Sequence, residues 1–215
     1  MTDIVPRIVG LATARPTQDI HAAFVKWAES RIENDRERAV FARMASRSGI
    51  AHRFAVLPVT ADGGSPVSPG GFYAGDDPTT AARMALYAEH APALALQAIG
   101  GLAQDLSTVT QLVVASCTGF VAPGVDQIIA RQLGLSPSVE RLLVGFMGCY
   151  AAVTALRSAA HIVRSQPEAR VLVVTVELSS LHLNRTGSIE SLLAMLQFGD
   201  GAAAALVCAD GPGLS

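Results

Sequence analysis

Cys149 is the residue of this sequence best placed for covalent chemistry. It follows Met147 and Gly148 at the end of an apolar run, and Tyr150-Ala-Ala152 then opens a stretch rich in small residues. Glycine permits a tight turn at that point. Free N–H groups and the dipole at a helix start favour negative charge. A thiol there gives up its proton more readily, and the thiolate is the nucleophilic form. The competing reading of any cysteine is a small buried hydrophobe. Cys208, in the last apolar run, takes that second reading. For Cys149 local physics leaves both open.

An acyl-transfer site also needs a base and an oxyanion donor. The five histidines supply no convincing base. His161 lies twelve residues further along the predicted helix, so about 18 Å away. His21, His52 and His90 sit in polar, helical or loop surroundings and read as surface residues. His182 falls just past a predicted strand, in a loop with access to a pocket, and an ordinary hydrogen-bonded loop histidine is the plainer reading of it.

The elements that must position these groups alternate. Ile4–Ala14 reads as a strand, and Asp19–Ser48 as one or two helices with charged faces. Residues 60–78 are loop, rich in Gly, Pro, Ser and Asp. Thr79 or Thr80 caps an Ala-rich helix running to about Leu106, where Pro92 is expected to kink or split it. Strands follow at Gln111–Ser116, Arg141–Phe146, Arg170–Glu177 and Ala202–Cys208, the second of them buried. Helices fall at Val125–Leu133, Gly148–Arg164 and Ile189–Leu196. This order implies βαβ units and a mostly parallel sheet covered by helices on both faces.

Bulk properties set outer limits. The 215 residues are 50% hydrophobic and 16% charged, with net charge -2. Such a chain can bury a sizeable core. It lacks the clustered basic excess of a nucleic-acid surface, and its apolar runs are too short for a membrane span. Met1-Thr2-Asp3 does not open an export signal. Three sparse cysteines without a CxxC or Cys/His pair argue against structural zinc and suit reduced thiols in a cytoplasmic protein. The sequon at 184–186 is then a chance match.

Four blocks carry a family resemblance. Val144-Gly-Phe-Met-Gly-Cys-Tyr-Ala-Ala-Val-Thr-Ala-Leu-Arg157 resembles the nucleophile segment of chalcone and stilbene synthases, the type III polyketide synthases. Ser116-Cys-Thr-Gly-Phe-Val-Ala-Pro-Gly-Val-Asp126 is similar to their loop ending in Pro-Gly. Arg170-Val-Leu-Val-Val-Thr-Val-Glu177 fits a family strand ending in Glu. Leu196-Gln-Phe-Gly-Asp-Gly-Ala-Ala-Ala204 fits their Phe-Gly-Asp-Gly strand entry.

The resemblance implies one thiolase-like half of an αβαβα fold over residues 1–215, the amino-terminal half of a homodimeric enzyme. It implies decarboxylative condensation of malonyl-CoA with an acyl-CoA starter, with CoA thioesters as substrates and no bound cofactor. Cys149 would carry the chain as a thioester, and Phe198 would orient malonyl-CoA for decarboxylation. Without the resemblance, Phe198 reads as a core aromatic before a turn. Cys117, Thr118, Ala122, Ser179 and His182 align with pocket-lining positions, and Ala122 with one that reaches across the dimer. Arg43 and Arg47, one turn apart, align with residues that hold CoA phosphates, while a third basic position of that pattern is Val40 here. The family's catalytic histidine and asparagine are expected in the other half.

Two alternatives stand beside this reading. A ketoacyl synthase of the fatty-acid initiating kind shares the fold and the cysteine, although it normally has Ala-Cys-Ala-Gly where this chain has Gly-Cys-Tyr-Ala. A non-catalytic module that pairs with another thiolase-fold chain is the other.

Overall fold

A computed structural model describes residues 4–58, 60, 64–185 and 187–215. Part of the expected 60–78 loop, the third residue of the sequon and the first three residues lie outside the described residues. The chain forms two compact units.

The first unit comprises residues 1–14, 87–177 and 201–215. Its five-stranded sheet contains β1 (Arg7–Ala14), β4 (Gln111–Ser116), β5 (Glu140–Gly145), β6 (Val171–Leu178) and β7 (Asp200–Cys208), in the order β1-β7-β6-β4-β5. Parallel pairing joins β4 to β5 and to β6, while β1 runs antiparallel to β7. The sheet is therefore mixed, with a parallel centre.

All six residues of β4 are buried, so both faces of the sheet are covered. Alternation assigns the faces. Val113 and Ala115 join Val171, Val173, Ala205 and Val207 in one cluster with Ala151, Ala155, Ala159 and Val163 of α5 (Ala151–Ser165). Those four α5 residues recur every fourth position, and three are alanines, which lets the helix lie close against the strands. Ser116, of opposite parity, meets Tyr87 of α3 (Thr80–Gly100) on the other face. Helix α4 (Val125–Gln132) connects β4 to β5.

Several expected bounds shift. The first strand begins at Arg7, and α3 ends at Gly100 rather than near Leu106. Pro92 is buried inside an unbroken α3, so the expected split does not occur. The Thr79 hydroxyl accepts from the Ala82 N–H at 3.1 Å and caps the helix start. The main correction concerns β5, expected to be buried. It is the edge strand, and of its six residues only Val144 is buried. A continuous apolar run looks the same in sequence whether a neighbouring strand covers it or not.

The second unit comprises residues 15–86 and 178–200. Two helices occupy the span expected for one or two, α1 (His21–Arg31) and α2 (Asp35–Arg47). Asn34 separates them and caps α2, its side chain accepting from the N–H groups of Arg36 and Glu37. Phe24 and Ala28 of α1, Phe41 and Ala45 of α2, and Leu192 of α6 (Ile189–Met195) form one buried cluster with Leu196. The two-residue strands β2 (Gln18–Asp19) and β3 (Phe54–Ala55) pair antiparallel beside them.

Candidate active site

In the first unit, strands β4, β5 and β6 all end at one side of the parallel core, where open α/β sheets present their sites. Cys149 stands just beyond the end of β5. It is not in the α-helix proper, as expected from sequence, but in the 3-10 turn Gly148–Tyr150 that runs directly into α5. The backbone reverses sharply before it. Gly148 has φ +63°, and Phe146 has φ 58°, a conformation that is uncommon for a bulky residue. The reversal leaves Cys149 exposed with a free thiol. A buried structural cysteine is therefore the wrong description of it. That description does fit Cys208, whose thiol is buried and lies 2.9 Å from the Asp210 carbonyl.

The loop after β4 comes alongside. Cys117 Sγ lies 3.6 Å from the carbonyl oxygen of Gly148, the residue before Cys149. Glu177, near the end of β6, holds this loop in place. Its carboxylate accepts from the Cys117 N–H at 2.9 and 3.1 Å, the Thr118 N–H at 3.0 Å and the Thr118 hydroxyl at 2.7 Å. Charge-assisted bonds of this kind are among the stronger ones available to a loop. In the sequence Glu177 stands only as a strand end. Its signal was a lone acid closing an otherwise apolar strand.

Tyr87 supports the same loop from the opposite face. Its buried hydroxyl shares a 2.6 Å hydrogen bond with Ser116, and burial raises its pKa. A Cβ on Gly119 would stand 2.3 Å from the Tyr87 ring, so only glycine fits there. Ala122 lies further along this loop, exposed, ahead of Pro123.

The remaining predicted residues belong to the second unit. Arg43 and Arg47 project from the exposed face of α2. Ser179 and His182 bound a 3-10 turn, Ser179–His182. Phe198 follows α6 and is 48% exposed, which excludes the core-aromatic reading for the described chain.

Three buried side chains with polar groups, Asp200, Tyr73 and Arg53, fix the turns that carry these residues. Asp200 accepts from the N–H and hydroxyl of Ser180 at 2.8 and 2.6 Å, and from the Val56 N–H at 2.8 Å. It thereby ties the Ser179–His182 turn to the Phe198 turn. Tyr73 donates its hydroxyl to the Ser180 carbonyl at 2.8 Å, and burial pushes its pKa up to about 12. Arg53, 5% exposed, donates through Nη1 to the carbonyls of Met195 at 2.6 Å and Phe198 at 2.9 Å. Its guanidinium also lies 4.3 Å from the Phe24 ring centroid. Burial lowers its pKa to about 10, which leaves it charged at neutral pH.

His21 and His52, expected to be plain surface residues, belong to a hydrogen-bonded cluster with Arg53. His52 Nδ1 lies 2.6 Å from an Asp19 carboxylate oxygen, and the other oxygen accepts from the N–H groups of His21 and Arg53. Those bonds hold the Asp19 pKa down at about 2. His21 accepts from Arg53 Nε at 3.3 Å, and its pKa is lowered, mainly by burial.

The family model described as chalcone and stilbene synthases, N-terminal domain, matches residues 8–211. The chain belongs to the chalcone and stilbene synthase family. Its match to the alpha-pyrone synthesis polyketide synthase-like Pks18 of Mycobacterium tuberculosis is 43% identical over 129 residues, 58% of this chain and 33% of that protein. With bisdemethoxycurcumin synthase of Oryza sativa subsp. japonica it is 38% over 141 residues, 63% of this chain and 35% of that protein. The C-terminal type III polyketide synthase domain of Steely1, a type I/III hybrid from Dictyostelium, superposes with TM-score 0.81 at 25% identity, over 96% of this chain and 57% of that one. The chain thus spans about a third of the length of these curated relatives in the matched segments, and it has the fold of the family's N-terminal domain. Among the described residues, no helix is long and apolar enough to cross a membrane.

Proposed function

We propose that this chain supplies the nucleophile-bearing, amino-terminal half of a type III polyketide synthase, with residues 1–215 as that domain. The reading rests on Cys149, an exposed thiol on a sharp turn at the carboxyl end of the parallel strands of the sheet, in a chain of this family. In the reaction, the Cys149 thiolate attacks the carbonyl of an acyl-CoA starter. The C–S bond to CoA breaks, CoA leaves as its thiolate and takes a proton from solvent, and the acyl group rests on Cys149. Malonyl-CoA loses CO2, and the resulting enolate attacks that thioester. A carbon–carbon bond forms, the Cys149 thiolate is released, and the product is an acyl-CoA two carbons longer.

Phe198 orients malonyl-CoA for the decarboxylation, and Arg43 and Arg47 grip CoA phosphates. Cys117, Thr118, Ala122, Ser179 and His182 shape the space for the growing chain. No bound cofactor takes part, because decarboxylation itself generates the carbon nucleophile. A histidine and an asparagine that stabilise thiolate and enolate are supplied from outside these residues. Free thiols at all three cysteines suit a cytoplasmic setting.

The active assembly is a homodimer. The unpaired edge of β5 exposes Leu142 and Leu143, and Phe120, Phe146, Met147, Tyr150 and Val153 of the same unit are also exposed. An open strand edge with large apolar side chains exposed beside it is characteristic of interaction surfaces.

Intact-mass spectrometry after incubation with a panel of acyl-CoAs tests the nucleophile. One acyl adduct, mapped to Cys149 and absent from Cys149→Ala, is the expected result. A folded chain acylated elsewhere, or not at all, removes the case for Cys149 acting from this half. Acyl transfer from acyl-carrier-protein thioesters in preference to CoA thioesters would support the ketoacyl synthase reading instead.

A further inference from the structure

We propose that Arg36 is a third phosphate-binding residue, forming with Arg43 and Arg47 an arginine stripe on α2 that takes the phosphates of a CoA thioester. The inference rests on the CoA-binding role proposed above for Arg43 and Arg47 and adds a residue to it.

Helix geometry carries the argument. At 100° per residue, Arg36 and Arg43 are seven positions apart and diverge by about 20°, and all three arginines fall within about 40° of arc. Their Cα atoms spread along the axis, with about 10 Å from Arg36 to Arg43 and about 6 Å from Arg43 to Arg47. Phe41 and Ala45 bury the opposite face, so the stripe faces solvent. Val40 is the one uncharged residue on it, so the charge missing there is restored one turn earlier by Arg36.

Pairing separates these arginines from their neighbour. Arg38, on another face, is bound to the Asp35 carboxylate and donates to the Ile32 carbonyl at 3.0 Å. Among the described residues, none pairs with the guanidinium groups of Arg36, Arg43 or Arg47. The acids of α2 sit in its first turn at Asp35 and Glu37, off the stripe. Three unpaired guanidinium groups spread over about 16 Å match a ligand with a diphosphate and a separate 3′-phosphate. A single phosphate would leave at least one of the three without a partner.

Calorimetric titration of CoA and of 3′-dephospho-CoA into the purified 215-residue chain is the test. Arg36→Gln, Arg43→Gln and Arg47→Gln are compared with Arg164→Gln, an exposed arginine elsewhere. The expected result is roughly a three- to tenfold loss of CoA affinity for each stripe variant and none for the control. Removing the 3′-phosphate should shrink the loss for at least one stripe position. If Arg43→Gln and Arg47→Gln weaken binding and Arg36→Gln does not, Arg36 is no part of the site and the CoA-binding role of the other two survives. If the wild type binds CoA and all three variants bind equally well, both the stripe and that role fail. A wild type that binds an acyl carrier protein through these arginines but not CoA overturns both as well.

Discussion

At the residue scale, the loop beside Cys149 depends on side chains that do no chemistry. Gly119 passes so close to the Tyr87 ring that a methyl group would stand 2.3 Å from it. The ring cannot retreat freely, because its hydroxyl is held by Ser116 at 2.6 Å. Gly119→Ala should therefore cost about 1–3 kcal/mol, the usual range for an overpacked core. Chemical denaturation would read this as a lower midpoint at unchanged slope. Gly119→Ala as stable as wild type would mean that the loop or the ring moves aside cheaply. The same loop carries Cys117 and Thr118, so lost thiol reactivity at Cys149 should accompany the lost stability.

At the element scale, single carboxylates hold whole segments together. Asp200 satisfies three donors, from Ser180 and Val56, while only 7% exposed. Asp200→Ala strands those donors and should destabilise the second unit by about 3 kcal/mol or more. Hydrogen exchange should show the loss at Val56 and Ser180 first. Equal protection of those amides in the variant would count against the tie.

Asp19 works through pH. Its folded pKa of about 2 lies below the unfolded value of 3.8, so its contribution is fully present above pH 3.8 and fades as pH falls toward 2. Asp19→Asn should therefore melt below the wild type at pH 6, with the gap closing between pH 4 and pH 2. A gap that stays constant to pH 2 would show that ionised Asp19 is not what links His52, His21 and Arg53. Solvent reaches this carboxylate, so the gap should be small.

At the scale of the whole molecule, the β5 edge is the feature with the largest consequence. Leu142 and Leu143 are 43% and 46% exposed, and Phe146 is 81% exposed. A second copy pairing there would satisfy the open edge and bring apolar side chains against Leu142 and Leu143. Replacing Leu142 and Leu143 together by Glu should convert a dimer to a monomer in light scattering, because the introduced carboxylates would be desolvated on pairing. A wild type that is monomeric at tens of micromolar, or a variant that remains dimeric, would rule this edge out as the interface.

How much of this was legible in the sequence varies from residue to residue. The strand at Gln111–Ser116 and the helix starting at Val125 have the expected start, and in the strand's case the expected end. Apolar period and turn chemistry are local properties, and these segments obey them. Gly148 also marked its own turn, since a positive φ is what glycine accommodates without strain. Cys149 was recognisable as a candidate nucleophile from the Gly-Cys step and the small residues after it. Its location in a 3-10 turn ahead of α5 was not, because one turn of either helix reads alike.

Local patterning was enough for the order of most elements, the parallel centre that their alternation implies and the candidate nucleophile, because each is read from neighbours a few positions apart. Tertiary structure alone decided which strand lies at the edge, which acid holds the Cys117 loop and which arginine anchors Phe198. Glu177 meets Cys117 across 60 residues, Arg53 meets Phe198 across 145, and Ser180 meets Asp200 across 20. A charged residue carries no sign in sequence of the distant donor or carbonyl it will satisfy, and burial fixes that partner only once the chain has closed around it.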